Sequence, residues 1–217
     1  MKKWQYGLVG TFLVLGVFFI AAPFLKDYII DRNVDKTMNE MNRLNSEDLK
    51  MNRAKGGKEE TVNELPSEMD VFKSMNFKGD PVAFMYIPRT GLKLPIYGTV
   101  NNTNLLYGAG EMKDYEELGQ GNYSIIGHRM KQEGLLFHDI PRLQHGDIVY
   151  VTDMERVFEY RVNDPSVIEE SETEVIQDNG KDEITLLTCD IPSEPHNRVM
   201  VQGDLRMIYD YSEEIFN

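Results

Sequence analysis

Gly7 to Leu25, GLVGTFLVLGVFFIAAPFL, is a run of nineteen residues without a charge, and it constrains everything that follows. At a rise of 1.5 Å per residue, a helix needs about that many apolar residues to cross a hydrocarbon core of about 30 Å. Lys2 and Lys3 precede the run, and Trp4 and Tyr6 stand where an aromatic belt would lie. The positive-inside rule then keeps residues 1–6 in the cytoplasm, makes 7–25 a single-pass anchor in the cell membrane, and exports everything after Lys26. The alternative is a cleaved signal peptide. Its apolar region would be shorter, about 7–15 residues, and would end in an A-x-A-like site, which Ile20-Ala21-Ala22 matches poorly.

With the anchor set aside, the remainder of the 217 residues suffices for one sizeable domain and an accessory segment, but not for two separate cores. A formal net charge of -13 argues against a nucleic-acid partner, since polyanion binding rests on Lys and Arg neutralising phosphates. The single cysteine excludes an intrachain disulfide and any zinc or iron–sulfur site built on several thiolates. Residues 26–79 read as a polar, partly helical juxtamembrane linker. Met38, Met41, Leu44 and Leu49 recur at helical spacing, Gly56-Gly57 breaks the pattern, and KGGKEE reads as flexible. This segment is expected to carry no chemistry.

From Asp80 to Asn217 the texture changes to short β-rich runs broken by turn residues. They are 82–87, 92–97 with Pro95 marking an edge or bulge, 122–126, 147–152, 157–162, 184–189 and 198–205. Short helical pieces fit only near 104–108 and 134–140. An all-β, closed or nearly closed antiparallel barrel follows from that pattern.

A lone cysteine is either a small buried hydrophobe or a nucleophile that needs a histidine elsewhere in the chain. Cys189 ends the run Thr185-Leu-Leu-Thr-Cys189, just before Asp190-Ile-Pro192, where the chain must leave the sheet. A thiol there opens on a groove, and fast acyl chemistry requires something nearby to take its proton. Among four histidines, His128 alone shares that setting, because it follows Ser124-Ile-Ile-Gly127 at another strand end. His138, His145 and His196 fall in a short helix and two loops. Arg198 lies nine residues beyond Cys189 at the start of the next run. If the intervening loop folds back as a hairpin, its guanidinium sits beside the thiol, where it could stabilise an oxyanion. Otherwise it is a solvated strand-end arginine.

Thr185-Leu-Leu-Thr-Cys189 followed by Asn197-Arg198-Val199-Met200-Val201 resembles the TLxTC…R signature of sortases. Gly121-Asn-Tyr-Ser124 running into Gly127-His128-Arg129 is similar to the strand that carries the sortase histidine. The resemblance covers about Asp80 to Asp210 and implies a closed eight-stranded sortase-type β-barrel. It also implies attack on a Leu-Pro-X-Thr-Gly sorting signal, with cleavage between Thr and Gly through a thioacyl-enzyme and transfer to an amine of a peptidoglycan precursor of the lipid II type. The implied roles are Cys189 as nucleophile, His128 as acid and base, and Arg198 as support for the oxyanion and substrate backbone. Val175 and Ile176 match the apolar pair that receives the signal's leucine. Ile126, Leu187 and Thr188 are further groove positions by the same resemblance.

Some sortases bind calcium between acidic loops. Here Lys113 and Gln120 stand where carboxylates are expected, and a lysine among hard oxygen ligands makes a poor site. No metal and no cofactor is therefore expected, and the acidic runs 116–117 and 169–174 read as solvated loops. Pilus-assembling sortases usually carry a second, C-terminal hydrophobic helix and an Asp-Pro-aromatic lid. Asp80-Pro81 here precedes Val82, and the C-terminal Ser212-Glu213-Glu214 is polar, which favours the general-purpose class A. A pilin-polymerising sortase and a non-enzymatic anchored β-domain with a spectator cysteine are the alternatives.

Overall fold

The computed structural model describes residues 3–56, 67–114, 116–191 and 194–216. Helix α1, Lys3–Glu40, runs unbroken for 38 residues, about 57 Å at the α-helical rise. Its apolar part leaves Phe12, Phe18, Phe19, Ile20 and Phe24 exposed. The best 18-residue window has a mean hydropathy of 2.4 and no burial, which is long and apolar enough to cross a membrane. The helix does not stop where the apolar run stops. Past Lys26 it buries Ile30 and Val34 against the domain.

A 3-10 turn, Met41–Arg43, leads into α2, Ser46–Lys55. Asn45 caps α2, accepting from the Asp48 N–H while the Asp48 carboxylate accepts from the Asn45 N–H, which satisfies two otherwise orphaned donors. The helical stripe read from the sequence packs inward. Met41 and Leu49 are buried with Phe84, Val157 and Phe216, and Met38 and Leu44 lie at the margin. The flexible reading of KGGKEE falls mostly on residues 57–60, outside the described residues. Helix α3, Glu68–Ser74, lies against α1.

Among the described residues nine strands follow: β1 Pro81–Ile87, β2 Leu92–Tyr97, β3 Ala109–Glu111, β4 Asn122–Gly127, β5 Ile148–Thr152, β6 Arg156–Val162, β7 Ser166–Glu169, β8 Glu183–Ile191 and β9 Glu194–Asp210. Their order is β6-β5-β1-β2-β3-β4-β8-β9, and β9 pairs back onto β6. That closes an eight-stranded barrel and removes its edges. Strand β7 is appended to the first half of β9.

Two pairs, β2–β3 and β4–β8, are parallel, so the barrel is not wholly antiparallel. Parallel neighbours need a crossover. Helix α4, Asn102–Tyr107, supplies one, and the long excursion through β5, β6 and β7 supplies the other. Pro95 pairs only with Phe84 of β1, because β3 begins opposite Ile96. The second expected helix is a 3-10 turn, Phe137–Arg142, containing Pro141, which cannot donate an α-helical hydrogen bond. The chain closes on α5, Glu213–Phe216.

Helix α2 is tied to the barrel by a buried ion pair. The Arg53 guanidinium forks onto the Glu111 carboxylate, with both contacts at 2.7 Å, and also donates to the Glu116 carbonyl at 2.7 Å. The Tyr123 hydroxyl donates to the same carboxylate at 2.7 Å, and Glu111 is almost wholly enclosed. Burial pushes Glu111 above its ordinary 4.5, opposed by Arg53 and Tyr123. Removing one partner of a buried pair strands the other. Arg53→Ala is therefore expected to cost about 2–3 kcal/mol at pH 7, somewhat below the full range because Arg53 is partly exposed. A carboxyl whose folded value is raised gives stability that is present at acid pH and lost as pH rises. The penalty in urea melts should accordingly be smaller at pH 5 than at pH 7.5, and a piece beginning at Asp80 should share the defect.

Candidate active site

The parallel β4–β8 ladder pairs Asn122 with Glu183 and ends at Ile126 with Leu187, a constant offset of 61 positions. Two steps further, the same offset brings His128 level with Cys189. On the other side of β8, Cys189 is directly opposite Arg198 of β9. Neighbours in register share a face, so Cys189 and Arg198 share one, and the same offset carried past the end of β4 at Gly127 sets His128 beside Cys189. Ile126, Leu187 and Met200 form a row behind them. Gly127 makes room for this arrangement, since a Cβ there would come within 2.7 Å of the Phe137 ring.

These side chains are electrically restrained. Burial holds His128 down at about 4, and its Nε2 has no hydrogen-bond partner among the described residues. The ring is therefore neutral at pH 7. Burial pushes the Cys189 thiol up, while Arg198 and Arg129 pull it down and Glu170 adds to the rise. Arg198 Nη2 lies 3.2 Å from Glu170 Oε2. His138 is engaged elsewhere, with Nδ1 at 2.7 Å from the Met130 carbonyl, and His145 and His196 are exposed.

The loop carrying Val175 and Ile176 is a 3-10 turn, Thr173–Ile176, and polar groups on the groove face of β4 grip its backbone. Asn122 Nδ2 donates to the Val175 carbonyl at 2.8 Å, and Ser124 Oγ donates to the Ile176 carbonyl at 3.2 Å. Lys113 completes the grip. Its ammonium donates to the carbonyls of Asn122 (2.6 Å) and Ile176 (2.9 Å) and to Asp178 Oδ1 (3.0 Å), with Glu116 Oε2 at 3.6 Å. Those oxygens already surround a cation, so they do not fit a calcium ion as well. Among the described residues no group of three or more acidic, histidine or cysteine side chains is placed to hold a metal.

Two expectations change. Thr188 does not face the groove: it alternates to the opposite side from Cys189, is fully buried, and donates to the Gly127 carbonyl at 2.8 Å. Glu116 is not a solvated loop residue but is buried, and burial lifts it to about 7 despite the Ser124 N–H and Lys113 beside it. The residues unforeseen from sequence are Met200 and Ile168, which share the groove face, and Arg129, which reaches Asp190. Strand alternation would have found Met200, two positions from Arg198.

The family model described as Sortase domain matches residues 85–206. Sortase A of Listeria monocytogenes is 34% identical over 209 residues, spanning 94% of this chain and 93% of its own length. Sortase A of Bacillus anthracis is 32% identical over 205 residues, spanning 94% and 96%. The solved structure of Listeria monocytogenes sortase A superposes with a TM-score of 0.61 at 35% identity, covering 62% of this chain and 93% of its own.

Hydrogen bonds to charged groups contribute about 1.5–3 kcal/mol each, so losing the ammonium should release the loop. In Lys113→Met, amide exchange at residues 173–178 is expected to quicken by about tenfold or more, by the same estimate. Added calcium should not reverse the change, and a chelator should leave the wild-type exchange rates as they were.

Proposed function

This chain belongs to the sortase family, and we propose that it is a class A transpeptidase that cleaves Leu-Pro-X-Thr-Gly-type signals between Thr and Gly. Family membership makes it a transpeptidase, and the apolar N-terminal helix fits a membrane anchor. In our reading the N-terminus is cytoplasmic, residues 80–217 are the extracellular catalytic barrel, and the partners are surface proteins bearing the signal and a peptidoglycan-precursor amine. The observation that supports this reading is the pairing of Cys189 with Arg198 on β8 and β9, with His128 just past the end of β4, the other neighbour of β8, and Ile126, Leu187 and Met200 behind them.

The Cys189 thiol gives its proton to His128 as sulfur attacks the threonine carbonyl carbon. The charge that develops on the carbonyl oxygen meets the Arg198 guanidinium, whose planar fork can also hold a backbone carbonyl. As the C–N bond breaks, His128 returns the proton to the departing glycine amine and a thioester remains. An incoming amine attacks that thioester, His128 accepts its proton, and sulfur leaves as thiol with the proton restored. Val175 and Ile176, with Ile126 and Leu187, present apolar surface for the signal's leucine.

The direct test is mass spectrometry of the full chain in detergent with a Leu-Pro-X-Thr-Gly peptide, where a thioacyl adduct released by amines is expected. Cys189→Ala should abolish both adduct and cleavage, because no other thiol exists. His128→Ala should lose about 10²–10⁴-fold, while alanine at His138, His145 or His196 should have little effect. Arg198→Lys should lose about 10²–10³ in kcat and kcat/KM together with near-normal alkylation of Cys189, as expected when an oxyanion donor is removed. Wild-type cleavage by the lysine variant would exclude the oxyanion role. Transfer to a pilin lysine in preference to a wall-precursor amine would instead identify a pilin polymerase.

A further inference from the structure

The β4–β8 ladder stops at Ile126 and Leu187, short of both reacting side chains. Beyond it, two side-chain ties continue the same 61-position offset. The Thr188 hydroxyl donates to the Gly127 carbonyl at 2.8 Å, and Arg129 Nη1 donates to the Asp190 carbonyl, with Asp190 Oδ1 at 3.8 Å. His128 stands between Gly127 and Arg129, and Cys189 stands between Thr188 and Asp190. The pair is thus bracketed on both sides. The Arg129 segment is also fixed from beneath, by the bridge between Arg129 and Leu136 and by the Phe137 N–H donating to the His128 carbonyl at 3.0 Å.

We propose that Arg129 is a positioning residue, whose guanidinium ties the end of β8 to the end of β4 and so sets the separation of the His128 imidazole and the Cys189 thiol. The proposal rests on the thiol–imidazole reading above. The physical need for such a tie is plain. His128 Nε2 has no hydrogen-bond partner among the described residues, so none holds that nitrogen toward the sulfur. Its placement depends on the backbone, at a point where main-chain pairing has ended. A guanidinium spans the gap between strands, keeps its charge at any working pH, and can engage the Asp190 carbonyl while facing the Asp190 carboxylate. Misplacing a reacting group by about 1 Å can cost about 10²-fold, so a tie of modest strength has a large kinetic effect.

The test compares two acyl donors with the same Leu-Pro-X-Thr portion on the full-length protein, by single-turnover acylation at saturating donor. One donor is the ordinary amide peptide, whose leaving amine must be protonated. The other is a thioester, whose thiolate leaves without a general acid. Arg129→Ala is expected to slow acylation by the amide about 10²-fold, at the lower end of what general acid–base catalysis supplies, and by the thioester by a clearly smaller factor, because the thioester needs His128 as the base that takes the thiol proton but not as the acid. Arg129→Lys should fall between wild type and alanine on the amide, because one donor is kept. An equal loss on both donors would overturn the proposal, since a charge effect on the thiol or damage to the fold would slow both alike. An unchanged amide rate would overturn it as well. His128→Ala provides the calibration. If it slows both donors equally, or if wild-type protein forms no thioacyl adduct with either donor, the reading of the site itself falls and the proposal with it.

Discussion

The parallel pairing of β4 with β8 is the constraint from which the site follows. Antiparallel strands can be joined by a two-residue turn, but parallel neighbours require a long crossover. Here that crossover is the whole stretch from His128 to Asp182, including β5, β6 and β7. The cost is slow, non-local closure. The gain is that two strand ends, far apart in sequence, point the same way at the same end of the barrel. An antiparallel partner for β8 could not have set a histidine and a cysteine both at C-terminal strand ends. β9 then contributes Arg198 at its N-terminal end, because it runs antiparallel to β8. The orientation of three strands thus fixes which kind of strand end each side chain must occupy.

Two partly covered cations, Lys113 and Arg53, tie together the elements around the groove face. Lys113 gathers oxygens from the 113–122 and 176–178 segments, and Arg53 gathers Glu111 and the Glu116 carbonyl. Both meet at the Glu111–Glu116 region, one from the groove side and one from the juxtamembrane helix. Buried charges are costly alone and tolerable when paired and hydrogen-bonded. The consequence is a domain in which the segment after the apolar run is part of the folded structure. Residues 26–56 bury Ile30, Val34, Met41 and Leu49 and supply the counter-charge to Glu111. A segment that reads as polar spacer is joined to the barrel through a handful of well-spaced apolar residues and one arginine.

The strands that were legible in sequence are those with alternating, strongly apolar runs, such as 92–97 and 157–162. The two that were not have clear reasons. β3 is Ala109-Gly110-Glu111, three residues with little side chain to show a pattern, and its acid is buried only because Arg53 arrives from 58 positions away. β7 is Ser166–Glu169, set between Asp164-Pro165 and an acidic run, and it reads as loop because it lies on the outside of β9 rather than within the barrel wall. His128, Cys189 and Arg198 could be singled out in the sequence because each falls near a recognisable strand boundary. Thr188 was misread because adjacency in a motif is not adjacency in space. In a strand the neighbour of a groove residue faces the other way, and the hydroxyl beside the thiol serves the barrel wall instead. The polar grip on Val175 and Ile176 was out of reach, since it depends on backbone carbonyls whose partners lie about 50–60 positions away.

The enclosure of the site also sets its resting chemistry. Burial holds His128 at about 4 and pushes the thiol up, so both groups favour the neutral form at pH 7. A thiolate–imidazolium pair is therefore a minority state, and the proton must move as the carbon–sulfur bond forms. Two features lower that barrier without holding a permanent thiolate exposed to solvent. Arg198 and Arg129 both bias Cys189 toward the anion. Glu170 opposes them, and its carboxylate is half-exposed while the Arg198 side chain is largely covered. A peptide carbonyl entering beside Arg198 can displace or share the carboxylate, after which the guanidinium acts on the sulfur and the incipient oxyanion with less cancellation. In the proposed reaction, substrate binding and thiol activation would then be linked through one side chain, Arg198.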